Sequence, residues 1–406
     1  MARLRFRKND LSLPDQERLE REFEYVREQY RTFVGYPCRG DLNFAPLLPF
    51  LEYPINNVGD PFSPSTYRVH TRRIEREVLS WFAELTHIAP LQYWGYVTNG
   101  GTEGNLYGLL LARERLPAGV VYYSEDTHYS VYKNLRLLNM RHIMIKSQPN
   151  GEIDYDDLRE TIRIKRDVPP IIFANIGTTM TEAVDNVQTI QQMLRQLAVP
   201  ESHIHCDGAL SGMTLPFQEG APVYDFRAGI DSISISGHKF IGSPIPCGIV
   251  LARKPYVERM ARSIEYVGTL DTTLTGSRNG ITPLFLWYAI HRTGSDGFRR
   301  QVAQCLKKAR YAIERFEKIG IKAWRNPFAI TVVFPKPPPS VLEKWQIAVQ
   351  GDRAHLIALQ SLTIRQIDQL IADIGAACKQ QANRDPRNAK GTVKRPVRTP
   401  SRRRRP

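Results

Sequence analysis

Apolar and polar positions along this chain fall into two rhythms. Short runs rich in Ile and Val at 119–123, 142–146, 170–175, 203–207, 231–235 and 247–251 predict buried strands. Between several of them, segments at 127–138, 155–164 and 187–197 carry apolar residues at helical spacing. Upstream, 12–35 predicts an amphipathic helix beginning near Pro14, Thr71 to Leu85 a second, and Gly100 to Gly104 lead into a third that runs through Ala112. After Gly280 the chain turns helical to about Ile319, and Thr331 to Phe334 and His355 to Ala358 predict strands of a small terminal unit. The alternation implies an α/β fold whose mostly parallel central sheet is covered on both faces.

Four segments follow: an N-terminal helix and arm over 1–55, a large domain over 56–285, a small C-terminal αβ domain over 286–376, and a tail over 377–406. The arm is expected to lie over a neighbouring chain or over the main domain. With 406 residues, 42% of them hydrophobic, the chain is long enough to bury a sizeable core. The net charge of +15 changes the picture only locally. From Lys379 onward there are eleven Lys or Arg against one acid, Asp385, which leaves a near-ordinary body. Prolines and the absence of periodicity predict a disordered tail, suited at most to weak contact with a polyanion. Five scattered cysteines without metal spacing point to reduced thiols and a cytoplasmic protein, and no apolar run has membrane-spanning length.

Candidate chemistry gathers at predicted strand ends. Lys239, in Ser236-Gly237-His238-Lys239, follows the run ending at Ile235, and an amine there can form a Schiff base with an aldehyde cofactor. Asp207 closes Ile204-His205-Cys206-Asp207, where a carboxylate can keep a pyridine nitrogen protonated. The small Ala209 after it allows a ring to lie flat, and His128 can cover the other face. These are the groups that pyridoxal 5'-phosphate needs around its ring. Gly101 and Thr102, at a helix start, with Ser236 and His238, offer donors to its phosphate. Thr178 or Thr179, after the strand ending at Asn175, either reaches the cofactor or satisfies its own turn. Arg278, in the polar run from Tyr266 to Gly280, is either structural or part of the site, and that run suits a lid or a subunit contact. His203 and His205 are placed on opposite sides of their strand and, with Asp207, make no convincing metal triad. No Gly-x-Ser-x-Gly elbow supports a serine hydrolase.

Six strings together resemble the group II pyridoxal-phosphate-dependent amino acid decarboxylases, in particular the short branch with bacterial histidine decarboxylase and plant serine decarboxylase. They are Ile-Asn-Asn-Val-Gly-Asp-Pro-Phe at 55–62, Tyr-Trp-Gly-Tyr-Val-Thr-Asn-Gly-Gly-Thr-Glu-Gly-Asn at 93–105, Asn-Ile-Gly-Thr-Thr at 175–179, Ile-His-Cys-Asp-Gly-Ala at 204–209, Ser-Gly-His-Lys-Phe at 236–240 and Gly-Ser-Arg-Asn-Gly at 276–280. The resemblance spans about 30–375 and implies the fold type I of pyridoxal-phosphate-dependent transferases and a homodimer or higher assembly. It implies Lys239 as the Schiff-base lysine, Asp207 as partner of the ring nitrogen, His128 stacked on the ring, and Gly101, Thr102, Ser236 and His238 around the phosphate. The implied reaction is α-decarboxylation of an amino acid, with histidine preferred to serine. Other fold type I chemistry, by an aminotransferase or a lyase, and a non-catalytic polyanion-binding role are the alternatives. Where that family often carries Val-Met-Pro before its last helix, this chain has Ala358-Leu359-Gln360-Ser361-Leu362.

Overall fold

A computed structural model describes residues 11–258, 262–264 and 269–384, by the backbone alone at 262–264, 269, 270 and 381–384. Helix α1 (Leu13–Tyr30) is capped by the Ser12 hydroxyl and buries none of its side chains. It ends five residues before the expected limit. The arm then joins the C-terminal unit: Val34 enters its core, and the Val34 carbonyl accepts from the Ile357 amide at 3.2 Å. Helix α2 (Arg72–Leu85) precedes strand β1 (Tyr93–Thr98), which leads to α3 (Gly101–Arg115), β2 (Val120–Ser124), α4 (Ser130–Leu137), β3 (His142–Ile145) and α5 (Tyr155–Ile164). Then come β4 (Pro170–Asn175), α6 (Val187–Gln196), β5 (His203–Asp207), β6 (Ser232–Ser236) and β7 (Gly248–Arg253).

These seven strands form one sheet in the order β1-β7-β6-β5-β4-β2-β3. Every pair from β6 to β3 is parallel, while β7 runs antiparallel to both β6 and β1. Alternate residues serve the two faces. Ile172, Ala174, Ile204 and Cys206 pack toward α2, α5 and α6, whereas Ile171 and Phe173 pack against α3 and α4. Burial on both faces explains why these strands read as unbroken apolar runs. Strand β1 escaped the apolar rhythm because Tyr-Trp-Gly-Tyr-Val-Thr is aromatic and interrupted by Gly95, yet all six residues are buried.

Beyond β7 lie α7 (Lys254–Glu258), the ribbon β8 (Arg262–Ile264) and β9 (Thr269–Asp271), and the long α8 (Thr282–Lys318). The continuous helix expected there is broken at Gly294, whose φ of 64° suits a residue without a side chain. A smaller antiparallel sheet, in the order β10-β12-β11, is built from β10 (Thr331–Pro335), β11 (Val349–Gln350) and β12 (Arg353–Ile357), with α9 (Pro339–Trp345) between the first two. The final helix α10 (Ile364–Arg384) continues eight residues into the stretch assigned to the tail. Lys379, Gln380, Gln381 and Ala382 favour a helix and prolong it. The rest of the basic segment, 385–406, lies outside the described residues, as do Tyr266 to Gly268 of the polar run. No helix among the described residues is long and apolar enough to cross a membrane.

Candidate active site

Four parallel strands finish side by side, with Ser124, Asn175, Asp207 and Ser236 as their last residues. Asn175 stands level with Asp207, and Asp207 with Ser234. In an open α/β sheet such ends project functional groups into one crevice. Asp207 is buried; its Oδ2 accepts from Asn105 Nδ2 at 2.7 Å and its Oδ1 from the Ala209 amide at 3.0 Å. The wall beside it is built from small groups. A Cβ on Gly101 would stand 2.9 Å from Ser236 Oγ and 3.9 Å from the Ala209 methyl, so these three residues meet at the start of α3. No side chain caps that helix, which leaves the positive end of its dipole open to an anion.

Lys239 sits in the turn Gly237–Ile241 directly after β6, at a non-helical ψ of −106°. Its amine has no hydrogen-bond or ion-pair partner among the described residues. Burial lowers its pKa, against the opposing pull of Asp207, Cys38 and Glu182, so more of it is the nucleophilic free amine. His128 lies in the turn between β2 and α4, half-buried, with Nδ1 at 2.8 Å from Ser130 Oγ. Burial lowers its pKa too; Asp207 counters that and Lys239 adds to it, which places the three groups within electrostatic reach of one another. His238 donates through Nδ1 to the Cys247 carbonyl at 2.9 Å, and burial lowers its pKa. Its Nε2 therefore offers a proton to an anion only when the ring is charged.

The threonines divide. Thr102 is exposed beside the start of α3, and its carbonyl accepts from Asn134 Nδ2 at 3.0 Å. The Thr178 hydroxyl is engaged in its own turn, 2.9 Å from Thr181 Oγ1 and accepting from the Ala183 amide at 3.0 Å, while Thr179 is exposed on that turn. Arg278 takes the structural role: its Nη1 pairs with buried Glu75, Nη2 donates to the Gly59 carbonyl at 2.9 Å, and the guanidinium lies 5.3 Å from the Tyr96 ring. His203 and His205 share one face, contrary to the expectation of opposite sides, because residues two apart on a strand point the same way. Both rings reach Ser232 Oγ, at 3.3 and 2.8 Å. No group of His, Cys, Asp or Glu among the described residues is placed to hold a metal ion.

Local spacing missed the supporting residues. Asn175 Nδ2 lies 3.1 Å from Ser124 Oγ, Thr127 Oγ1 and Asp185 Oδ2, and so fixes the turn that carries His128. Asn105 and Asn175 stood in the family-like strings, but as ends of a glycine loop and a strand. Glu182 gave no signal, yet its buried carboxylate ties the turn after β4 to the start of β10, accepting from the Ile330 and Thr331 amides at 2.9 and 2.8 Å and from Ser211 Oγ at 3.0 Å. The divergent segment borders the site: Gln360 Nε2 donates to the carbonyl of Phe240, next to Lys239, at 3.2 Å. Leu359, Ser361 and Leu362 line a narrow cleft with Tyr36 and Cys38.

Known proteins resemble the chain over most of its length. The family model described as pyridoxal-dependent decarboxylase conserved domain matches residues 62–323. The chain is 46% identical over 360 residues to a histidine decarboxylase of Mesorhizobium japonicum, covering 89% of this chain and 97% of that one. It is 48% identical over 368 residues to that of Morganella morganii, covering 90% and 97%. Among solved structures, L-methionine decarboxylase from Streptomyces sp.590 superposes with a TM-score of 0.82 at 26% identity, covering 92% of this chain and 97% of that one.

Proposed function

Because the chain belongs to the pyridoxal-dependent decarboxylases, we propose that it binds pyridoxal 5'-phosphate through Lys239 and removes the α-carboxyl group of L-histidine, releasing histamine and carbon dioxide. The observation that carries this reading is the Lys239 amine, desolvated and without a partner, on the turn after β6 and within electrostatic reach of Asp207 and His128.

The donor set fits the cofactor. Asp207, held by Asn105 and the Ala209 amide, offers a carboxylate to a ring nitrogen. Gly101 and Ala209 keep the wall beside it small, and the uncapped start of α3, with Thr102 and Ser236, suits a phosphate. His238 adds a donor there as the imidazolium, a form that the phosphate charge itself favours. His128 is the group to cover one ring face. When bound, the cofactor supplies an electron sink for the pair left when the bond from Cα to the carboxylate breaks.

The identities of 46% and 48% to histidine decarboxylases support histidine as the substrate. One observation keeps serine as a second reading: the departure at Ala358 to Leu362 touches the Lys239 turn, so it can alter which side chain is accepted. We carry the proposal to a cytoplasmic homodimer, supported by five unpaired cysteines and by an α1 that buries no side chain within its own chain. The test supplies the reconstituted protein with a panel of amino acids and measures amine and carbon dioxide together, with Lys239→Ala as the blank. Histamine with matching carbon dioxide is expected. Ethanolamine moves the substrate to serine, and absence of carbon dioxide from every amino acid overturns the decarboxylase reading.

A further inference from the structure

Behind Asp207, between α3 and the sheet, a line of buried side chains continues beyond Asn105 to residues that the proposed chemistry does not use. Asn105 Nδ2 donates to Asp207 Oδ2 at 2.7 Å, and Asn105 Oδ1 lies 3.0 Å from His205 Nε2. His205 Nδ1 is 2.8 Å from Ser232 Oγ, which is 3.3 Å from His203 Nε2. Asn105 is 2% exposed and the other three 0%, so solvent offers no substitute partner.

The chemistry of the ends dictates the direction of every bond. An ionised carboxylate only accepts, so Asn105 turns its NH2 to Asp207 and its carbonyl oxygen to His205. His205 must then carry its proton on Nε2 and accept at Nδ1 from the Ser232 hydroxyl. That hydroxyl in turn accepts from His203 Nε2. Burial holds His205 and His203 neutral, lowering their pKa values to about 3 and about 4, which agrees with one proton on each ring. Each donor in the line therefore points toward Asp207. Helix α3 is cut to fit: a Cβ on Gly108 would come 2.1 Å from His205 Nδ1, so the imidazole occupies the space that glycine leaves. Phe173 closes it from the sheet, with ring centroids 5.3 Å apart.

We propose that Asn105 and His205 are positioning residues that hold Asp207 as a fixed, ionised acceptor and thereby keep the cofactor's pyridine nitrogen protonated. The inference rests on the reading that Asp207 faces that nitrogen. Without the His205 donor the Asn105 amide is free to turn over and present its oxygen to the carboxylate, which weakens Asp207 as an anion.

The test reconstitutes wild type, Asn105→Leu, His205→Phe, His205→Gln, Ser232→Ala and Asp207→Ala with ring-15N-labelled pyridoxal phosphate. It reads the nitrogen chemical shift from pH 7 to 9 and the cofactor affinity by quenching of tryptophan fluorescence. Asn105→Leu and His205→Phe are expected to lose the protonated-nitrogen signal at lower pH than wild type and to bind about tenfold more weakly, the scale of a hydrogen bond to a charged group. His205→Gln, whose amide nitrogen can replace Nε2, falls between them and wild type. Should His205→Phe fail to fold, Ser232→Ala carries the same test with a smaller loss, about threefold, since it removes only the support of the His205 tautomer. Folded Asn105→Leu with wild-type shift and affinity overturns the proposal. If Asp207→Ala itself keeps the protonated signal, the placement of the ring beside Asp207 fails instead, and the two failures are thereby told apart.

Discussion

The Glu75–Arg278 pair and the Asp207–Lys239 cluster both bury charge beside the large sheet, and they are finished differently. Glu75 takes hydrogen bonds from Asn57 Nδ2 at 2.8 Å and the Val97 amide at 2.9 Å besides the Arg278 guanidinium. Around that pair the strings at 55–62 and 276–280 close on each other: Asn57 donates its amide to the Arg278 carbonyl at 3.0 Å, and Asn56 Nδ2 donates to Ser277 Oγ at 3.0 Å. Both carboxylate oxygens and the guanidinium nitrogens Nη1 and Nη2 have partners, and of this pair Arg278 Nε is left buried without one. At the strand ends the Lys239 amine and His128 Nε2 keep no partner among the described residues, and Asp207 has one bond to each oxygen. A saturated network holds a fold together, whereas one with directed vacancies costs stability and is ready for a ligand.

Removing one member from each network separates the two kinds. Lys239→Ala should cut carbon dioxide release by roughly 10³-fold or more while leaving the apoprotein's melting temperature near that of wild type. Activity that survives would break the contrast. Glu75→Ala should act the other way, costing about 3–5 kcal/mol of stability because it strands a buried guanidinium; urea unfolding of the apoprotein measures it. Paired replacement, Glu75→Leu with Arg278→Met, should recover much of that loss.

Acid sharpens the comparison further. His203 and His205 have folded pKa values of about 4 and about 3, below the roughly 6.5 of an unfolded imidazole. The unfolded chain therefore binds more protons below that pH, so the contribution of these rings to stability is complete above about 6.5 and declines as pH falls toward the folded values. The slope approaches about 1.4 kcal/mol per pH unit for each ring. His205→Gln should remove its share of this slope in unfolding curves taken from pH 7 to 4.5, and an unchanged slope would contradict a neutral buried imidazole. The smallest effect belongs to Thr178. Thr178→Val should cost about 1 kcal/mol through the lost turn bonds and leave kcat within about twofold of wild type, and a tenfold fall in kcat would instead put that hydroxyl on the cofactor.

The sequence made the strands legible where both faces are buried, since runs such as Pro170 to Asn175 need no alternation to be read. It hid β1, whose burial is aromatic, and the reversed direction of β7, which depends on its partners across the sheet. Lys239, Asp207 and His128 could be proposed from the sequence because Asp207 closes an apolar run and the other two lie in the turns that follow such runs. Their supports were not: Asn105 meets Asp207 across 102 positions, and Glu182 meets Thr331 across 149. Such contacts belong to the topology rather than to any local spacing. Arg278 shows the converse, a residue in a motif-like string whose partners assign it to the frame.

The most direct test of the central claim is to reconstitute the protein with pyridoxal phosphate, reduce it with borohydride and map the modified residue by peptide mass spectrometry. The account predicts the cofactor fixed to Lys239 alone, with decarboxylation lost in step with its attachment. Attachment at another lysine, or none while carbon dioxide is still released, would contradict it.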